Sequence, residues 1–295
     1  MRITNNMLSQ NLLRNLESSQ GKIADLQNQL SSGLRITKPS DDPVGIQNAL
    51  RMKSNISAVE QWKNNADEAL SFMNTTDSTL SGMTSMLQRV RELTVEGANG
   101  TLAVADKKAV ADEVYQISEQ LKMMANTQVG SKYIFSGTQT NLELVKSDGT
   151  WQGNNQAIMF EVGNNLSLPI SVNGQTLFKT PSTGVPGILD TLSNLSTALK
   201  TDDATGIQDA LKNIDGNIDN VLAIQADLGA RTNRVTAIRD QLDSTSINLQ
   251  TNLSSILDAD MAKTITDFTN KQNTYKAALS VGAQIIQTSL VDFMR

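Results

Sequence analysis

Every seventh residue from Met52 onward repeats one position of a helix: Met52, Val59, Ala66, Met73, Leu80, Leu87 and Thr94. Ile56, Leu70, Met83 and Val90 fill the second position of the repeat. Apolar residues alternating by three and four make the narrow stripe along which one helix packs against another. The stripe spans about 43 residues, or roughly 65 Å of helix. No helix buries such a stripe alone, so the rest of the chain must supply partners that run beside it.

Three other stretches carry the same spacing. The first is Leu12, Leu16, Ser19, Ile23, Leu26 and Leu30, and another is Val110, Val114, Ile117, Leu121 and Met124. The longest runs through Val221, Ile224, Leu228, Arg231, Val235, Ile238, Leu242, Thr245, Leu249, Asn252 and Ile256, reaching back to Leu211 and Ile214. A shorter helical pattern, Ile188 to Leu199, precedes it, and "TDDATG" separates the two. Beyond Ile256 the alternation resumes in a shifted phase through Ile265, Phe268, Gln272, Tyr275, Leu279, Gly282, Ile286, Ser289 and Phe293. Leu253, Leu257, Met261 and Ile265, spaced by four, bridge the shift like a stutter. Both terminal regions therefore read as helices with stripes to cover, first with each other and then with copies of themselves. Leu12, Leu16, Ile23, Leu26, Leu30, Ile265, Phe268, Tyr275, Leu279, Ile286 and Phe293 are the expected assembly seam.

Between the first two helical patterns stands "SSGLRITKPSDDPVG". Gly33 suits the left-handed end of a helix. Asp42 offers an N-cap oxygen, and Pro43 fits a first helical position because its missing N–H would be unpaired there. Arg35, Lys38, Asp41 and Asp42 put two charges of each sign into this hinge. Two roles are open for them: capping with surface charge, or pairing across neighbouring subunits.

From Thr138 to Gly187 the helical period disappears and turn signals take over, among them "QGNNQ", "VGNN", "VNGQT" and "PSTGVPG". "AIMFEV" and "LSLPISV" read as short strands, with Pro169 marking an edge or bulge and Asn173-Gly174 a two-residue hairpin turn. The fold expected is mainly α: a long antiparallel coiled-coil-like helical rod with a terminal helix pair and a small inserted β domain. Its divisions are 1–45 with 255–295, 46–137 with 188–254, and 138–187.

Composition removes most chemistry. The chain has no cysteine and no histidine, hence no thiolate, no imidazole base and none of the commonest metal ligand. The net charge of −5 argues against nucleic acid or anionic lipid as a partner. No run approaches the roughly 18 apolar residues of a membrane span. The opening residues are too polar for the apolar core of a cleavable signal peptide. The acidic pairs Asp41–Asp42 and Asp258/Asp260 are better explained as caps than as acid–base or metal sites. The expectation is a non-enzymatic structural subunit, without cofactor or metal, built to polymerise. Arg231, Thr245, Asn252 and Gln272 interrupt the stripes, either to set register or because they lie at the seam edge in water.

Three blocks add a resemblance. "QLSSGLRITKPSDDPVGIQNAL" (29–50) resembles the N-terminal signature of the bacterial flagellin superfamily. "ADLGARTNRV" (226–235) and "ILDADMAKTITDFTNKQNTYKAALSVGAQIIQTSL" (256–290) are similar to the family's returning helix and C-terminal block. Within the superfamily, "VGSKYIFSGTQT" (129–140) and the ending "QTSLVDFM" look like the branch that joins hook to filament, the hook-associated proteins. A short filament flagellin is the alternative. The resemblance implies an extracellular structural role in the flagellum and export through the flagellar type III channel with the ends unfolded. It also implies four partners: copies of the chain in a ring or helical layer, a neighbouring hook-associated protein, flagellin, and an export chaperone that meets the C-terminal region.

Overall fold

The stripe from Met52 to Thr94 lies in one helix, Pro43–Gly97, in a computed structural model that describes residues 5–100, 102–146, 150–179 and 185–293. In the terminal helices the side chains described are residue 7 and those from 9 to 283. The elements in order are α1 (Asn5–Ser32), α2 (Pro43–Gly97), α3 (Val104–Ala125), β1 (Gln128–Val129), β2 (Lys132–Tyr133), β3 (Met159–Gly163) and β4 (Leu166–Pro169). They are followed by α4 (Gly174–Phe178), α5 (Ile188–Thr201), α6 (Ala204–Leu257) and α7 (Met261–Phe293). The protein is mainly α with a small inserted β region. No helix among the described residues is long and apolar enough to cross a membrane. The chain divides into two units, Met1–Ala58 with Thr245–Arg295, and Val59–Ser244.

The larger unit, Val59–Ser244, holds the main core. Ala66, Met73, Leu80, Met83 and Val90 of α2 are fully buried, as are Ile214 and Val221 of α6. Val110, Val114 and Leu121 of α3 and Leu192, Leu195 and Leu199 of α5 join the same cluster. Each fully buried Leu or Met contributes about 1.5–3 kcal/mol relative to exposure. Charges flank the seam and step down α2 as they step up α6. Lys63 pairs with Asp243, Asp67 with Arg239 at 2.9 Å, and Arg91 with Asp215 at 2.6 Å. The short helix α5 ends at Asp202 in the left-handed region (φ 56°), and the Asp202 carboxylate receives the nearly buried Lys107 ammonium at 2.5 Å.

Of the four polar residues that interrupt the stripes, Asn252 and Gln272 are exposed, while Arg231 and Thr245 are half-buried. Arg231 pairs with Asp227, one turn earlier on its own helix. Other polar residues do lie inside the core, among them Thr94 at the end of the α2 stripe and Asn217, 1% exposed, whose amide donates to Pro186 O (3.2 Å) and Thr191 Oγ1 (3.1 Å).

The inserted region departs from the sequence reading in detail. Strand pairing begins at Gln128, ten residues before the expected start at Thr138, because Gly130 (φ 62°) turns "VGSKY" into the β1–β2 hairpin. The Asn173-Gly174 pair is not a hairpin turn, which corrects that expectation. Asn173 Oδ1 accepts the Gln175 N–H at 2.9 Å and so caps the five-residue helix α4. The β3–β4 turn is made by Asn164 and Asn165, with Asn165 at φ 57°. Asparagine serves both roles because its short amide can cap a backbone N–H and its backbone tolerates positive φ. The irregularity in this ladder lies at Glu161/Gly163 on β3, not at Pro169, which ends β4 opposite Met159. The bond from Ile170 N–H to Ile158 O sets the alternation, so the missing N–H of Pro169 falls where no ladder bond is needed. Phe135 and Phe178, both fully buried, meet edge to face at 5.7 Å and tie the β region to α4.

Candidate assembly surface and its hinge

The smaller unit is organised around α1 and α7, which pack side by side. Leu12, Leu16, Ser19, Ile23, Leu26 and Leu30 are all half-buried, so one face of α1 is covered along its length but nowhere sealed. The residues of α7 that are buried or half-buried are Thr264, Phe268, Tyr275, Ala278 and Gly282. Leu12 sits over Gly282, where an added Cβ would come within 2.6 Å of Leu12 Cδ2. A side chain at that position would make Leu12 shift, and the backbone conformation of Gly282 is ordinary helix.

Two residues of the expected seam face elsewhere. Ile265 is 53% and Leu279 46% exposed, fourteen residues apart and so on one side of α7. Met7, Leu13 and Val281 are also more than half exposed. Ile286 and Phe293 lie outside the residues whose side chains are described. Ile265 and Leu279 thus remain uncovered after the two helices have paired.

The hinge is built from two connectors that zip together. Gly33 (φ 72°) closes α1, its N–H donating to Gln29 O. Leu34 then bridges Asp258 in the α6–α7 connector. Arg35 N–H donates to Leu257 O, and Ala259 N–H donates to Gly33 O. The Arg35 guanidinium reaches the Ile256 carbonyl at 2.8 Å, a cation at the negative end of α6, and lies 3.8 Å from Asp42. Asp42 Oδ1 accepts the Gly45 N–H at 2.8 Å, with Pro43 in the first position of α2. Asp41 Oδ2 accepts three bonds, from Lys38 N–H, Thr37 N–H and the Thr37 hydroxyl, at 2.9–3.1 Å. The Lys38 backbone bond, then that of Thr37, holds the Asp41 carboxyl below its ordinary pKa. The Lys38 side chain is exposed.

Asp260 caps α7 through the Lys263 N–H, and Asp258 takes the Ser254 hydroxyl. Both carboxylates are engaged in holding helix ends. Beneath the hinge a small core of Ile36, Ala49 and Leu257 is 5% exposed or less. Gly45 lies against it: a Cβ there would stand 2.6 Å from Ile36 Cδ1 and 2.5 Å from Asp42 Oδ2. Ile36 and Gly45 are hinge residues that sequence reasoning missed. An apolar residue alone among polar neighbours, three residues past a helix-ending glycine, was the available signal.

Two family models match the chain. The bacterial flagellin N-terminal helical region matches residues 3–140, and the bacterial flagellin C-terminal helical region matches residues 211–294. The flagellin of Bacillus subtilis is 30% identical over 300 residues, covering 97% of each chain. The chain belongs to the bacterial flagellin family. Flagellar hook-associated protein 3 of Escherichia coli is 24% identical over 300 residues, covering 94% of this chain and 95% of that one. The crystal structure of flagellar hook-associated protein 3 from Legionella pneumophila shares the fold, with a TM-score of 0.62 at 17% identity over 70% of this chain and 98% of that one. In this flagellin-family chain the N-terminal match holds α1, the first connector, α2, α3 and the β1–β2 hairpin, while the C-terminal match holds most of α6 and α7. The zipped connectors therefore unite residues from both matched regions.

Proposed function

We propose that the chain is the structural subunit of the layer that joins hook to filament in the bacterial flagellum, on which flagellin polymerisation and motility depend. The observation that carries this reading is the segment 129–140, which resembles the hook-associated branch. Ile134 and Phe135 are fully buried, the Ser136 hydroxyl bonds Leu142 O, and Gly137 (φ 65°) lets the chain lie against Asn154. Those residues anchor the inserted β region, so the motif and the insertion belong together physically. The likeness to hook-associated protein 3 along nearly the whole chain supports the same reading.

In this proposal residues 1–45 and 255–295 carry assembly, 46–137 with 188–254 form the supporting rod, and 138–187 is a surface knob. Copies of the chain cover one another's α7 strip at Ile265 and Leu279, within a ring or helical layer. A hook-associated neighbour lies on one side of the layer and flagellin on the other. An export chaperone shields the C-terminal region before secretion to the cell exterior. The role is scaffolding, with no catalytic step and no cofactor. The hinge charges hold the corner within each subunit, since Arg35, Asp41 and Asp42 all have partners in the same chain.

The second reading is a filament flagellin, favoured by the 30% identity to the Bacillus subtilis protein. A deletion strain separates the two. A junction subunit leaves hooks without filaments and sheds unpolymerised flagellin into the medium. A strain that instead lacks its principal filament protein, with this chain dominating sheared wild-type filaments, identifies a flagellin.

A further inference from the structure

The seam between α2 and α6 repeats every seven residues, and such a repeat leaves its own register open. On α2 the buried Ala66, Met73, Leu80 and Leu87 stand seven apart, and on α6 so do Val221, Leu228, Val235 and Leu242. Sliding α6 by seven residues puts one apolar side chain where another stood, at little loss of packing. Apolar periodicity selects the face of a helix but not its position along the partner.

The charged residues beside the seam do not repeat in this way. Lys63 meets Asp243, Asp67 meets Arg239 and Arg91 meets Asp215. Four residues forward along α2 are four back along α6, and twenty-four forward are twenty-four back, so the three pairs share one register. Between them the Gln225 amide donates to Asp77 at 3.0 Å. A slide of seven in one direction brings Gln250, Ser246 and Leu222 opposite Lys63, Asp67 and Arg91. The opposite slide brings Thr236, Thr232 and Gln208 there, with Arg239 moved opposite Glu60. Either slide breaks all three pairs, and the second gains one in return. Each pair is a third to a half exposed and is worth little singly. A register, however, is chosen by the difference between two states, and all three pairs enter that difference together.

We infer that this ladder of charges, not the apolar stripe, fixes the register in which α2 and α6 pair as the chain folds.

The chain has no cysteine, so an introduced pair reports register without interference. Asp77→Cys with Gln225→Cys reports the native register. Asp77→Cys with Ile218→Cys reports the slide that brings Arg239 to Glu60. The full chain carrying either pair is refolded from urea under a mild oxidant, and the disulfide yield is read on a non-reducing gel. With the ladder intact the native disulfide predominates. Lys63→Gln, Asp67→Asn and Arg91→Gln together lower the ratio of native to slipped disulfide about tenfold, equivalent to ~1.4 kcal/mol over three pairs. Reversing the three charges on α2 lowers it further, and reversing Asp243, Arg239 and Asp215 in the same chain restores it. A single-helix reversal that loses its helical circular dichroism and regains it in the double reversal supports the same reading. A neutralised chain that forms the slipped disulfide no more than the intact one overturns the inference. So does a double reversal that fails to restore the native disulfide.

Discussion

The seam residues Leu12, Leu16, Ile23, Leu26 and Leu30 of α1 stop at half burial, whereas Ala66, Met73, Leu80 and Met83 of α2 are fully buried. Both stripes carry the same alternation of threes and fours. What differs is the number of neighbours. Among the described residues the α1 stripe packs chiefly against α7, while the α2 stripe lies in a cluster fed by α3, α5, α6 and the β region. Periodicity thus fixes which side of a helix seeks a partner, and the count of partners fixes how much water leaves. A two-helix contact leaves apolar surface to spare, and on α7 that surplus is Ile265 and Leu279.

The contrast breaks most directly by truncating one leucine in each seam. Leu80→Ala should cost about 2–5 kcal/mol in chemical denaturation, because a sealed site leaves a cavity. Leu26→Ala should cost about 1 kcal/mol, since its side chain is already partly hydrated. Equal losses would mean that the α1 stripe is buried far more deeply than half.

A second intervention asks whether the terminal unit has any tightly packed point. Gly45→Val drives a branched side chain into Ile36 and Asp42 and should destabilise the hinge by about 1–3 kcal/mol. Amide exchange at Arg35 and Ala259, whose N–H groups zip the connectors, is the readout. Unchanged protection there would show that the corner yields without cost.

Asp41 supplies a pH signature. Its folded pKa lies below the ordinary carboxylate value, so its stabilisation is complete above that value and is lost as pH falls through the lowered one. Asp41→Asn should therefore lower the thermal midpoint at neutral pH, and the gap from wild type should close in acid. A gap that widens in acid contradicts the hydrogen-bond pattern at Thr37 and Lys38.

The smallest effect on folding should come from the uncovered strip. Ile265→Asp should change subunit stability by no more than about 0.5 kcal/mol, as exposed sites do. The same change should abolish incorporation into flagella, measured by immunogold labelling at the hook end. Normal incorporation would remove Ile265 from the assembly surface.

Much of this architecture was legible in the sequence, and the reasons are local. The seven-residue stripe gave α2, Gly33 and Pro43 bounded the first connector, and "TDDATG" separated α5 from α6. Three motif blocks carried the family. The hinge partners were not legible: Arg35 meets Ile256 and Leu34 meets Asp258 across more than two hundred residues, and no spacing rule reaches that far. Asn173-Gly174 was misread because the same dipeptide suits a hairpin turn and a helix cap, and the bond from Gly174 N–H to Phe135 O that accompanies the cap joins residues far apart in the chain.

By itself the sequence determined where helices begin and end, which side of each is apolar, and that acid–base and metal chemistry lack their usual residues. Those properties depend on near neighbours in the chain, through capping, backbone preference and the 3.6-residue turn. The tertiary structure alone decided that Asp41 and Arg35 find bonding partners at the corner within the chain, that Gly45 and Gly282 lie close to neighbouring side chains, and that the pairing of α1 with α7 leaves Ile265 and Leu279 exposed. Each of these is set by which distant segment comes to lie opposite, and that choice belongs to the packing of the chain as a whole.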